Sequence, residues 1–188
     1  MDEDAILTAD MAVLMQVATP MLQAEDSRLA TAALLVRRLQ TNAEEEQEFK
    51  KILRLLATTC SSDQFLLDMM LELLMTVEHK VPVINSIALA AAGSSAEQLS
   101  PVLDTYRDLL NSDRDLLVPI IGSISELDLS ISQRESFLEL ISGSLKVVKD
   151  QDVPVVVNAM LQITTQSNAC HIAARMFQLK SLTFYMDL

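Results

Sequence analysis

The 188-residue chain is half hydrophobic, has a formal net charge of −12, and contains three glycines, no tryptophan and two cysteines. A chain of this length and apolar content buries a core rather than staying disordered, and its wealth of Leu, Ala, Met, Glu and Gln favours helix over all-β or doubly wound folds. Its negative field opposes a direct grip on nucleic acid or an anionic membrane, while Cys60 and Cys170, far apart in sequence, form no disulfide framework and suit a reducing cytosol or nucleus.

The chain opens on Met1-Asp2-Glu3-Asp4, acidic where a secretory signal is basic. Apolar periodicity then predicts helices over residues 11–18 and 29–39, and a third carrying Phe49, Ile52, Leu53 and Leu56. Thr41-Asn42-Ala43-Glu44 is expected to cap that third helix, with the acidic run 44–48 in its first turns, where carboxylates favour the positive end of the helix dipole.

From residue 61 two signals alternate. Ser61-Ser62-Asp63-Gln64, Ser94-Ser95-Ala96-Glu97 and Ser132-Gln133-Arg134-Glu135 fit the capping box, in which serine oxygen and Glu or Gln satisfy each other's backbone N–H groups. Ser167 continues the series without its acid. Between them stand Val81-Pro82-Val83-Ile84, Val118-Pro119-Ile120-Ile121 and Val153-Pro154-Val155-Val156. Proline in a first helical turn loses no intrahelical bond and pushes the preceding residue out of the helix, so each tetrad reads as a helix start.

Each unit is therefore a helix beginning at a serine cap and a second beginning at a proline. The first helices carry apolar stripes: Phe65, Leu66, Met69, Met70, Leu73, Leu74 and Val77; Val102, Leu103, Tyr106, Leu109 and Leu110; Phe137, Leu138, Ile141 and Leu145. The second helices, over 83–92 and 155–163, are apolar around more of their circumference, as inner helices packed on two sides would be. The predicted fold is all-α: one α-solenoid of HEAT-like helix pairs spanning 1–188, with a period of about 36 residues and about four to five pairs. The last residues, with Leu182, Phe184, Tyr185 and Met186, do not form a polar end cap, so the chain is expected to be a fragment of a longer solenoid and to self-associate there.

Candidate chemistry is sparse. Four metal-capable His and Cys side chains are His79, His171, Cys60 and Cys170, and the adjacent pair Cys170-His171 would point about 100° apart on a helix, reading as a packed cysteine beside a surface histidine. Gly93, Gly122 and Gly143 are isolated, form no phosphate loop, and suit helix ends or close packing. Asp113 and Asp115 flank a loop without signs of burial. Arg37, Arg38, Lys50, Lys51 and Arg54 cluster on neighbouring helices, where pairing with local acids is expected ahead of a phosphate track, since no stacking aromatics are interleaved. The ten methionines read as core filler. No catalytic, cofactor-binding or metal-ligating residue is assigned, and the chain is expected not to be an enzyme, to need no cofactor and to take no small-molecule ligand. No run reaches about 18 uncharged apolar residues, so no membrane span is expected.

From Asn111 onward the wording becomes specific: Leu116-Leu117-Val118-Pro119-Ile120-Ile121, then Ser125-Glu126-Leu127-Asp128-Leu129, then Asp150-Gln151-Asp152-Val153-Pro154-Val155-Val156-Val157. This segment resembles the N-terminal solenoid of the Fanconi anaemia group D2 family, where a Thr-Val-Pro-Ile-Leu helix start, a Ser-Ser-Leu-Arg-Leu turn and a Glu-Asp-Leu-Pro-Val-Ile-Ile start follow at similar spacing. The resemblance implies a nuclear scaffold in DNA interstrand-crosslink repair that pairs with the group I protein and meets DNA through the assembled, monoubiquitinated complex. The family's ubiquitin-acceptor lysine lies beyond the matched segment and corresponds to none of Lys50, Lys51, Lys80, Lys146, Lys149 or Lys180. An unrelated HEAT-like adaptor would show the same periodicity, because stacking alone demands it.

Overall fold

The computed structural model describes residues 3–41, 45–144, 148–166, 169–170 and 172–174, among which no strand occurs; ten bounded α-helices and two short 3-10 turns run through them to residue 162, and residues 169–170 and 172–174 are helical as well. Chain order is α1 (Glu3–Thr8), α2 (Met11–Gln23), α3 (Arg28–Thr41), α4 (Glu46–Thr59), α5 (Gln64–Thr76), α6 (Lys80–Ala90) and α7 (Ala96–Ser112). A 3-10 turn at Arg114–Leu116 leads into α8 (Leu117–Ser125), α9 (Ile131–Ser144) follows, and a second turn at Asp150–Asp152 leads into α10 (Val153–Gln162). By internal contacts the chain divides into a first unit that runs to Tyr106 and includes Glu126–Asp128, and a second made of Arg107–Ser125 and the chain from Leu129 onward.

In the first unit α1 packs on α3, α3 on α5, α2 on α4 and α4 on α6, while α2 with α3, α3 with α4 and α5 with α6 join the two rows. Spacing explains the pattern. On α4 Phe49, Ile52, Leu53 and Leu56 recur at helical intervals and are buried, and Leu55 and Ala57 widen the stripe so that the helix meets neighbours on several sides. Full burial of each large aliphatic chain contributes about 1.5–3 kcal/mol. Tyr106, fully buried, donates its phenol to the carbonyl of Ile84 at 3.3 Å and so ties α7 to α6.

The helix α1 is not signalled by apolar periodicity, since six residues hold little more than a turn and a half. It is anchored instead by Arg38 of α3, which is buried and donates Nη1–H bonds to the carbonyls of Ile6 at 2.9 Å and Ala9 at 2.8 Å. These are carbonyls that a helix end leaves without an intrahelical donor.

The three prolines lie in first turns, Pro82 in α6, Pro119 in α8 and Pro154 in α10. The capping boxes exist in shifted register. Asp63, not a serine, caps α5 by accepting from Phe65 N–H at 2.9 Å and Leu66 N–H at 3.3 Å. At α7 the reciprocal pair is Ser95 with Gln98, and at α9 it is Ser130 with Gln133. Runs of Ser, Asp and Gln offer several cap frames, and the frame that lets the apolar stripe face inward prevails. Ser94, released from capping, is buried.

Other expectations are corrected. Thr41 remains inside α3, where its hydroxyl donates to the Arg37 carbonyl at 2.9 Å, and α4 begins after Glu45, whose side chain makes no capping bond. On α5 Leu66, Met70, Leu73 and Leu74 of the expected stripe are fully buried, but Phe65 is 49 % exposed and Leu67 is buried in its place, so the inward face is shifted at its edge. The proline-started α6 packs on two sides, against α4 and α5, as expected, but its remaining side is open: Val81 and Leu89 of α6 are exposed, as are Val155 and Leu161 of α10. Gly122 sits mid-helix in α8 with open space where a Cβ would lie, so neither a helix end nor close packing explains it. Gly143 lies inside α9. Outside the described residues fall the Asn42 to Glu44 part of the proposed cap, Leu145, Lys146, Ser167, His171 and the C-terminal stretch 175–188 with Lys180.

Candidate interaction surface

The basic residues predicted to cluster are divided between two roles. Arg38 is consumed structurally on α1, whereas Arg37, Lys50, Lys51 and Arg54 are exposed on α3 and α4. Lys50 forms an ion pair with Glu46 one turn earlier. That hydrogen bond, and then the charge of Lys50, hold the Glu46 carboxyl below the usual carboxylate range, with His79 adding to the effect from the start of α6. The pair is solvent-exposed and of the i, i+4 kind, so screening by water leaves it little stabilising weight.

The loop carboxylates take local roles. Asp113 caps the 3-10 turn by accepting from Asp115 N–H at 3.1 Å, and Asp115 pairs with Lys149 at 3.3 Å, both side chains well exposed. Within the second unit Asp115 and Lys149 edge a cleft of about 250 Å³ lined also by Leu110, Arg114, Leu117, Val118, Val148 and Asp152. Its charged groups Arg114, Asp115 and Lys149 face solvent, whereas a ligand site desolvates the polar groups that orient its occupant. The cleft is better described as the seam of a helix junction.

Cys60 is buried beside Thr59, and burial pushes its thiol above the ordinary range. Cys170 is exposed, contrary to the packed role expected for it. Among the described residues no group of three or more His, Cys, Asp or Glu side chains is placed to hold a metal ion, and no helix is long and apolar enough to cross a membrane. Met70 and Met160 are fully buried, as core filler should be, but Met75 is 61 % exposed.

Sequence reasoning missed the exposed aliphatic residues Val13, Val81, Leu89, Val155 and Leu161. A signal for them existed. The α2 sequence MAVLMQVATPMLQ has no ionisable side chain and that of α6 has Lys80 alone, so whichever stripe of these helices faces water carries little charge and has few polar residues to keep aliphatic ones from it. Counting apolar residues as core obscured this, because a helix on the surface of a layer still has one open side.

No family model, characterised protein or solved structure matches this chain.

Proposed function

We propose that the chain is a non-enzymatic protein-interaction scaffold of HEAT-like helix pairs, recurring at about 36 residues, and that it serves in nuclear repair of DNA interstrand crosslinks as part of a Fanconi anaemia group D2-like solenoid. The observation that carries the scaffold reading is the packing of each helix on the next but one, α1 on α3, α2 on α4, α3 on α5 and α4 on α6 in the first unit and α8 on α10 in the second. Such rows extend by addition of further pairs and present long helix faces to partners. The exposed aliphatic residues on α2, α6 and α10 supply contact area on those faces.

The repair assignment is supported by the resemblance that starts at Asn111 and by the proline-initiated helices α8 and α10 within it. On this reading the partner is the group I protein, and DNA is met through the assembled complex, because the net charge of −12 disfavours a direct grip. Immunoblotting of the endogenous protein with and without an interstrand-crosslinking agent tests it. A species much larger than 20.8 kDa that gains a ubiquitin-sized shift after damage is the expected result; an unshifted 20.8 kDa product copurifying with transport or assembly factors would replace the repair role with that of a general adaptor.

A further inference from the structure

We infer that the outward face of the α2, α4 and α6 row is a docking surface for an amphipathic helical segment of a protein partner, one bearing carboxylates beside aliphatic side chains. The inference rests on the scaffold reading above and specifies the chemistry of the partner.

Three adjacent helices build the face. α4 lies between α2 and α6 and packs on both. Opposite its buried stripe, α4 exposes Lys51 and Arg54, successive on one side of the helix, and neither forms an ion pair with a described residue. The acids of α4, Glu46 and Glu48, are confined to its first turn, and Glu46 is occupied by Lys50. On one flank α2 exposes Val13 at 52 %, and on the other α6 exposes Val81 and Leu89, both at 42 % and two helical turns apart. Neither flanking helix contains an acid.

In a chain of net charge −12, a surface layer that has two unpaired cations on a helix flanked by the exposed aliphatic residues Val13, Val81 and Leu89 departs from the mixed charges that ordinarily keep a helix face solvated. Its complement is defined by charge and shape. Carboxylates would meet Lys51 and Arg54, and aliphatic side chains at i, i+3 or i+4 and i+7 would cover Val81 and Leu89. Arginine beside apolar contacts is also a frequent anchor of such interfaces. A nucleic-acid backbone fits less well: it asks for a longer track of cations, gains nothing from the exposed aliphatic side chains, and is repelled by the overall field.

The test uses the full chain and fluorescence anisotropy with three labelled probes: a helical peptide of about 18 residues with leucines at i, i+3, i+4 and i+7 and glutamates between, the same peptide with lysines replacing the glutamates, and a short DNA duplex. The glutamate peptide should bind and the lysine peptide should not. Lys51→Glu with Arg54→Glu should weaken the glutamate peptide about tenfold or more, Lys51→Gln with Arg54→Gln should weaken it less, and Val81→Asp with Leu89→Asp should abolish binding. Glu72→Lys on α5, outside this row, should leave it unchanged, and circular dichroism should report the same helix content throughout. Equal binding of both peptides, no binding of either, binding of the duplex alone, or retention of affinity in the Lys51, Arg54, Val81 and Leu89 variants would each overturn the inference. So would self-association by sedimentation velocity that those same variants remove, since the occupant would then be a second copy. The damage-dependent mass shift does not involve these probes, so a peptide result that fails while the shift persists refutes the docking surface and leaves the scaffold reading standing.

Discussion

Arg38 on α3 and Ile6 on α1 are joined by a buried N–H···O bond of 2.9 Å, and the same Nη1 reaches the Ala9 carbonyl at 2.8 Å. A charged donor thus closes the exit of a six-residue helix that is too short to persist by itself. Substitution Arg38→Met keeps much of the volume and removes both bonds. It should cost about 3 kcal/mol in urea denaturation and expose the N-terminal segment to limited proteolysis before the rest of the chain. A loss under about 1 kcal/mol would mean that water replaces the guanidinium at these carbonyls.

The junction of α4 and α5 is fastened to the end of α6 through two residues in the left-handed region. Ser62 has φ of 62°, donates its N–H to the Ala90 carbonyl at 2.8 Å and its hydroxyl to the Ala92 carbonyl at 2.6 Å; Gly93, at φ of 80°, follows directly. A Cβ at Gly93 would stand 3.2 Å from Ser62 Oγ. Gly93→Ala should therefore destabilise by about 1–2 kcal/mol, read as a lower Tm, while Ser62→Ala should lose about 1 kcal/mol with the hydroxyl bond. If alanine at 93 is neutral, the left-handed geometry does not govern this junction.

Tyr106→Phe deletes the phenol that bonds to Ile84 and leaves the ring in place. Equilibrium unfolding should show a loss of about 1 kcal/mol, against about 3–5 kcal/mol for Tyr106→Ala, which also leaves a cavity. Similar losses in the two variants would indicate that the ring contributes little packing.

The two cysteines should separate under alkylation. Cys170 is exposed and Cys60 is buried with its thiol raised chiefly by desolvation, so iodoacetamide should label Cys170 in the native protein and Cys60 only on unfolding. The sign of the pH effect follows. A thiol whose folded value is raised keeps its proton longer in the folded state, so its contribution is intact below the unfolded value and is lost as pH rises through the folded one. Stability should fall in alkaline solution, and Cys60→Ala should flatten that fall; an unchanged alkaline slope in Cys60→Ala would assign it to other groups.

Helix positions and the proline starts are legible in the sequence because burial imposes a period on Phe49, Ile52, Leu53 and Leu56 and because proline has few permitted places. Cap register is not, since Ser94, Ser95 and Asp63 all have acceptor side chains and tertiary packing selects among them. Arg38 reads in the sequence as part of a surface cluster, yet it is buried and bonds to the backbone carbonyls of Ile6 and Ala9, which have no signature in side-chain sequence. The face of α2, α4 and α6 is half visible, its cations plain in the sequence and its aliphatic edges concealed by their likeness to core residues.

Because the principal helix pairings join elements no more than two steps apart along the chain, most native contacts close short loops. Folding should then be quick for the chain's size and able to start at more than one place, with low relative contact order. Energetic disturbances should also stay near their origin. A double-mutant cycle between Arg38, which holds α1, and Gly93, beyond α6, should give additive losses, so that the two ends of this row of helices can vary with little regard for one another.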